Sequence, residues 1–328
     1  MNDLTVKILN RLSSGNDFLS GESLCHEFGI TRSAVWKHIG LLRAEGYQID
    51  AVTGRGYHLS ALTGRPVEAE VRPFLTGERF GKKIIYHPVT GSTNIQAKAL
   101  AGEGAPEGSV VVADSQNGGR GRMGRIWVSP PGVNLYFSLI LRPEVPSIRV
   151  PQLTLLVAVA IHRALCVLSP GLLPMIKWPN DLLVQGKKLC GVLCEMQSEP
   201  EMTHFVVVGI GINVNQTKMP PEIEERATSL FLESGQFISR PELLASVLNH
   251  LEPLYDEWLL HDDLGFILPY LEKYSLLQSK EVSIDQRNRN LSGTVVGIAR
   301  GGELKLLCAD GQTILVSSGE AHLRKERS

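Results

Sequence analysis

The apolar positions of the first sixty residues recur at helical spacing. Leu4, Ile8 and Leu12 share one stripe, Leu24 and Phe28 a second, and Val35, Ile39 and Leu42 a third at i, i+4 and i+7. Ser20 and Thr31 stand where helix N-caps are needed, and Gly29 and Gly46 where helices close. Residues 47–51 and 56–59 then read as short strands around Thr53-Gly54-Arg55-Gly56. Three helices followed by a hairpin predict a winged helix-turn-helix over residues 1–63.

The turn-rich join Ala61-Leu62-Thr63-Gly64-Arg65-Pro66 opens a second region, 66–275, with a different pattern. Apolar runs predict strands at 83–86, 109–113, 134–141, 182–184, 188–196 and 204–213. Helical runs fall at 93–102, 153–168 and 241–260, with a kink or break expected at Pro253. The order is not a regular βαβ alternation, and a hairpin around Gln185-Gly186-Lys187 implies a mixed sheet. From 278 to 328 the pattern changes again, to short strands at 281–284, 291–299, 303–307 and 313–317 separated by glycine turns. A small β-barrel closes so few strands without exposed edges.

Composition narrows the classes. A chain of 328 residues holds two or three domains, and 43% hydrophobic with 20% charged residues fits a folded soluble protein. The start, MNDLTVKILN, lacks the build of a secretory leader. The apolar run 153–168 is interrupted by His162 and Arg163 and reads as a buried helix, so no membrane partner and a cytoplasmic location are expected. The five cysteines, 25, 166, 190, 194 and 308, show no CxxC spacing and read as structural thiols. With a formal net charge of −1, any nucleic-acid role needs a local patch. Residues 1–65 carry seven Lys/Arg against six acids, but 31–43 holds no acid. If the third helix turns its stripe inward, Arg32, Ser33, Trp36 and Lys37 face out to read a major groove, with Arg43 on another outer face and Arg55 on the wing. The alternative is a helical protein–protein module. One weakly charged domain binds DNA feebly alone, so a homodimer on a two-part operator is expected.

The chemistry concentrates in Gln116-Asn117-Gly118-Gly119-Arg120-Gly121-Arg122-Met123-Gly124-Arg125. Four glycines let backbone amides approach a phosphate while three guanidinium groups neutralise it. It is neither a Walker A loop nor a GxGxxG fingerprint, and alone it could be an RNA-contacting or merely solvated turn. Gly91-Ser92-Thr93-Asn94 sets hydroxyl and amide groups at a helix start, where Ser92 in isolation reads as a plain N-cap. Lys177-Trp178-Pro179-Asn180-Asp181 ends in polar residues at a strand mouth. Lys188, in Lys188-Leu189-Cys190-Gly191, lies in an otherwise apolar strand; an anionic ligand, or an acid such as Glu195, would resolve its charge. Gly209-Ile210-Gly211-Ile212-Asn213 allows close approach to a strand.

These five motifs, in this order, resemble the bacterial bifunctional biotin–protein ligase and biotin operon repressor family, and the resemblance spans nearly the whole chain. It implies an α+β multidomain fold: a winged helix-turn-helix, a central mixed-sheet domain like that of class II aminoacyl-tRNA synthetases, and a C-terminal SH3-like β-barrel. Carried over by motif, Ser92, Thr93, Asn94, Gln116, Arg120, Gly121, Arg122 and Lys188 contact biotin or its adenylate, while Asn180, Asp181 and Asn213 stand on the nucleotide side. Lys188, Arg120, Arg122 and Asp181 are the expected catalytic residues, and Asp181 the expected Mg²⁺ ligand. The resemblance implies ATP and Mg²⁺ as cofactors, biotinyl-5′-AMP as intermediate and corepressor, and a biotin carboxyl carrier domain of acetyl-CoA carboxylase and operator DNA as partners. It also implies dimerisation driven by the adenylate. The best-known two-function members carry arginine where this loop has Met123. A ligase whose winged helix no longer regulates, and a lipoate–protein ligase-like enzyme, are the alternatives.

Overall fold

The computed structural model describes all residues except 1, 2, 16, 200, 201, 287, 288 and 325–328. The N-terminal unit comprises α1 (Asp3–Ser13), α2 (Gly21–Phe28), α3 (Arg32–Ala44) and the hairpin β1 (Gln48–Val52) and β2 (Gly56–Ala61). Its caps follow the residues that predicted them. The Ser20 and Thr31 hydroxyls accept from Ser23 N–H and Ala34 N–H, and Gly29 closes α2 in the left-handed region. Ile8, Leu9, Leu12, Leu24, Val35, Ile39 and Leu42 form a core of their own, and His38 joins α3 to α1 through a 2.8 Å hydrogen bond with Thr5.

The central sheet contains β3 (Ile84–Thr90), β4 (Val110–Gln116), β5 (Leu135–Leu141), β6 (Met175–Lys177), β7 (Asp181–Val184), β8 (Lys187–Ser198) and β9 (Thr203–Ile212). Their spatial order is β3-β4-β5-β9-β8-β7-β6. Only β3 and β4 run parallel, so the sheet is mixed. Alternation divides its side chains. Val110, Val112, Phe137, Leu139, Val206, Val208 and Ile210 join the core with α6 (Gln152–Leu168) and α8 (Arg240–Leu260). Val111, Ile140, Phe205 and Val207 meet α5 (Thr93–Gly102) on the other face. The stretch Ser147–Leu168 has the length and apolarity of a membrane span, yet 72% of its most apolar window is buried in this core.

Several elements carried no readable signal: α4 (Glu68–Val71), β6, α7 (Leu230–Ser234) and α9 (Leu268–Tyr274) are too short for periodicity to show. The break expected at Pro253 does not occur, and α8 runs through it. Pro253 lies on the solvent side, while Leu244, Val247, Leu248, Leu251, Leu254, Tyr255 and Trp258 hold both halves in the core, so packing outweighs the missing N–H. The C-terminal unit is a five-stranded antiparallel sheet of β10 (Glu281–Gln286), β11 (Arg289–Ile298), β12 (Leu304–Leu307), β13 (Thr313–Val316) and β14 (Glu320–Leu323), ordered β13-β12-β11-β10-β14. β14 was not foreseen. Val282, Ile284, Leu304, Leu306 and Ala321 of this sheet belong to the same continuous core as the central one.

Gly56 is the tightest point of the winged helix. Its φ is +107° and a Cβ there would stand 2.0 Å from the Leu19 carbonyl oxygen, inside the Leu19–Tyr57 bridge. Gly56→Ala is expected to destabilise this unit by about 2 kcal/mol. Amide exchange in α1–α3 then accelerates about thirtyfold, while β4, β5 and β9 keep their protection; unchanged exchange at Leu19 and Tyr57 would refute the assignment.

Candidate functional site

Two features of the α5 face open a cavity at one end of the sheet. The first is a stripe without side chains. Gly209 and Gly211 continue the face that Phe205 and Val207 began, and Gly191 lies opposite Gly211 in the β8–β9 ladder. A Cβ on Gly209 would fall 2.0 Å from the Asn94 Oδ1, and one on Gly211 2.6 Å from the Trp127 ring. The glycines therefore admit the side chains of Asn94 and Trp127, which in turn wall the cavity.

The second is a β-bulge. Leu182 pairs with Cys190 but Leu183 with Lys188, so Leu189 is extra in β8. Such an insertion re-aims the flanking side chain, and Lys188 arrives beside Gly191, where a Cβ would meet its Nζ at 3.3 Å. This resolves the misfit of a lysine in an apolar strand. The ammonium pairs with Asp181 at 2.8 Å and stands 5.5 Å from the centre of the Trp127 ring. The acid is Asp181, not Glu195. Glu195 instead takes Lys98 at 2.5 Å and the Asn94 amide at 2.7 Å. Burial pushes its carboxyl up, but those two hydrogen bonds, with the charges of Lys98 and Arg120, outweigh burial and hold it below the usual range.

The cavity, about 880 Å³, is lined by every ligand and catalytic residue expected from the motifs: Ser92, Thr93, Asn94, Gln116, Arg120, Gly121, Arg122, Asn180, Asp181, Lys188 and Asn213. Ser92 holds the N-cap position of α5, but its hydroxyl makes no capping bond. The Gln116 Oε1 takes that place, accepting from Thr93 N–H at 2.9 Å, while its amide donates to Ser129 at 3.0 Å. The bland reading of Ser92 as a plain cap therefore fails. Asn180 accepts from Arg122 at 3.1 Å and donates to the Val192 carbonyl at 2.9 Å; Asn213 donates to the Thr228 carbonyl at 2.9 Å. These bonds fix both amides in the cavity wall. Burial pulls the Arg122 guanidinium below its usual value, opposed by Asp181 and Glu320. It remains a cation. Six cations line the cavity (Arg120, Arg122, Arg125, Lys177, Lys188 and Arg226) against three carboxylates (Asp181, Glu222 and Glu320), so an anionic ligand is favoured.

The motifs did not disclose three contributors, Ser138, Trp127 and Glu320, nor the contact made by a fourth, Trp178. Ser138, fully buried, hydrogen-bonds Thr93 and Asn94 at 2.8 and 2.6 Å. Trp127 covers the glycine floor. Trp178 donates to the Gly302 carbonyl at 3.0 Å, tying the Lys177–Asp181 turn to the C-terminal sheet. Glu320 of β14 takes Arg125 through both guanidinium nitrogens, fastening the Gly/Arg loop to that sheet. Sequence spacing signals none of these contacts, because they join residues more than forty positions apart. Met123 is 73% exposed at the loop's tip, with φ +57°. The DNA-reading candidates are elsewhere. Arg32, Ser33, Trp36 and Lys37 are all exposed on α3, Trp36 at 71%, and Arg55 of the wing lies 4.4 Å over the Phe18 ring. Arg43 is also exposed but donates to the Ile49 carbonyl.

Comparison with known proteins covers all three units. Residues 86–213 match the model of the biotin/lipoate A/B protein ligase family, 6–58 an HTH domain, and 280–324 the biotin protein ligase C terminal domain. The bifunctional ligase/repressor BirA of Bacillus subtilis (strain 168) is 43% identical over 292 residues, 88% of this chain and 87% of that protein. BirA of Escherichia coli (strain K12) is 30% identical over 326 residues, 98% of each chain. The solved structure of biotin protein ligase from Aquifex aeolicus in complex with biotin and ATP superposes with a TM-score of 0.65 at 32% identity, covering 75% of this chain and 100% of that one.

The Arg125–Glu320 pair has a measurable consequence. Its hydrogen bond from Arg125 holds the Glu320 carboxyl below the usual range. The contribution is therefore complete above the unfolded value of about 4.3 and is lost as pH falls through the depressed one. At neutral pH, Glu320→Gln is expected to raise amide exchange of residues 119–126 several-fold without altering β8 or β9. Equal protection in both proteins would show that the pair does not hold the loop.

Proposed function

The chain belongs to the biotin–protein ligases that carry an N-terminal helix-turn-helix domain, and from that premise we propose how its cavity and its winged helix work. The protein joins biotin and ATP to biotinyl-5′-AMP and transfers the biotinyl group to a lysine of a carrier domain of acetyl-CoA carboxylase. It is also a biotin-responsive repressor. The observation that carries the site assignment is the bulge that turns Lys188 into a cation-rich cavity beside Asp181 and Arg122.

In the first step a biotin carboxylate oxygen attacks the α-phosphorus of ATP. A P–O bond forms, the bond to the β-phosphate breaks, and pyrophosphate leaves. In the second, a carrier lysine amine attacks the acyl carbon, an amide C–N bond forms as the C–O bond to phosphate breaks, AMP leaves, and the amine's proton passes to the Asp181 carboxylate or to water. No nucleophilic side chain is needed; the protein supplies position and charge. Ser92, Thr93, Asn94 and Gln116 present a polar rim for the ureido ring, held rigid by Ser138 and Glu195. Lys188 offsets charge gathering at phosphorus, and Asp181 orients it. Arg120, with Arg122 anchored on Asn180, gathers the triphosphate and then covers the mixed anhydride against water.

Mg²⁺ fits this site as a partner of the nucleotide. Among the described residues no three His, Cys, Asp or Glu side chains cluster, so the ion would enter with the nucleotide; Asp181 would be the residue to hold it, and it would supply neutralisation of phosphate charge. The adenylate, once bound, orders the Gly/Arg loop and acts as corepressor of a cytoplasmic homodimer whose two α3 helices read a two-part operator. Met123 leaves Arg120, Arg122 and Arg125 to that loop, so chemistry persists with one cation fewer at its tip.

Incubation with biotin, MgATP and a carrier domain tests the chemistry. Lys188→Ala is expected to slow adenylate formation by orders of magnitude with the fold intact; pyrophosphate release at the wild-type rate would remove Lys188 from that role. Arg122→Gly is expected to release the adenylate and biotinylate bystander lysines. An unchanged adenylate off-rate in that variant would count against the covering loop.

A further inference from the structure

The winged helix and the catalytic region meet at a segment that neither activity explains. α4 places Ala69 in the winged-helix core and Val71 in the main core, packing on α1 to one side and on α8 and β3 to the other. Glu70, between them, is 2% exposed and turns back onto the connecting segment. Its carboxylate accepts from Thr63 N–H at 3.1 Å, from Gly64 N–H at 2.9 Å and from the Thr63 hydroxyl. The buried phenol of Tyr47, three residues beyond α3, stands beside the same carboxylate; burial, and then the charge of Glu70, push it up.

The next residue of the segment, Arg65, donates to the Glu45 carbonyl at the C-terminal end of α3 and stands 3.9 Å from that residue's carboxylate. α4, which follows this segment, packs on β3, and the Arg65 charge bears on the Tyr86 phenol of that strand. The end of α3 is thus tied through one short segment to the first strand of the catalytic sheet. A flexible tether would leave its backbone solvated. Here the amides of residues 63 and 64 are consumed by a buried carboxylate, which is tolerated in such a place only when fully partnered.

We propose that Glu70 and Arg65 lock the winged helix to the catalytic region as one body, so that α3 is presented at a fixed angle, and that Glu70 is a positioning residue for DNA reading. The second clause rests on α3 being the DNA-reading helix; the lock itself does not. Two recognition helices must meet half-sites about one helical turn apart, and a fixed angle removes the cost of orienting each domain on binding.

Backbone ¹⁵N relaxation on the full chain tests the lock without DNA. In the wild type, residues 3–60 and the central sheet are expected to share one rotational correlation time. In Glu70→Gln and in Arg65→Ala the winged helix acquires a shorter one, while the amide shifts of Ile8, Val35 and Ile39 stay put. A single shared time in both variants, or independent tumbling in the wild type, overturns the proposal. If Glu70→Gln collapses the winged-helix signals toward random-coil shifts by unfolding it, Arg65→Ala, which removes no buried carboxylate, decides. Duplexes selected from a random-sequence pool by the wild type with biotin and MgATP test the second clause. Both variants should lose about tenfold in affinity on two-half-site duplexes, yet bind a single half-site as the wild type does. If the wild type selects no duplex, the DNA reading fails while the relaxation data still judge the lock; equal two-half-site affinity in all three proteins refutes the positioning role.

Discussion

Close backbone approach governs this molecule. Three strand positions without a Cβ, Gly191, Gly209 and Gly211, let Asn94 and Trp127 lie against the sheet where side chains would otherwise fill the space. The face that packs α5 at one end becomes a cavity at the other only because its alternation ends in glycine. The bulge at Leu189 completes the arrangement by adding a lysine to a floor that has no side chains of its own. Chemistry that needs placement more than a nucleophile is well served by such a floor, since the rigid ladder fixes each wall to its neighbour.

The cations are held by partners drawn from two distant parts of the chain. Asp181 holds Lys188, Asn180 holds Arg122, and Glu320 of the C-terminal sheet holds Arg125. Trp178 fastens the same turn to Gly302, so the C-terminal sheet both shares the main core and touches two of the site's motifs. Removing that sheet would expose core and loosen the loop together. At the other end, the winged helix keeps its own core but is bound through Glu70 and Arg65. Its orientation is therefore a property of the whole chain.

Periodicity revealed the long elements because each buries one continuous stripe. α3 keeps Val35, Ile39 and Leu42 inside and leaves Arg32, Trp36 and Lys37 out, as its spacing implies. It missed β6 and β14, three and four residues long, and of the kink or break expected at Pro253 the break does not occur, because the local cost of proline is met by a stripe packed on both sides of it. The site was legible as a set of motifs: every ligand and catalytic residue assigned through them lines one cavity. Which atoms meet was not legible. Nothing local distinguishes Asp181 from Glu195 as the partner of Lys188, since a one-residue bulge decides the face. Nor does spacing show that Gln116, not Ser92, satisfies the first amide of α5.

The central claim is that this cavity activates biotin by adenylation before any carrier arrives. Exchange of labelled pyrophosphate into ATP, with no carrier domain present, reads that step alone. The account predicts exchange that requires biotin and is not supported by lipoate. Exchange without biotin, or appearing only when a carrier domain is added, would contradict it.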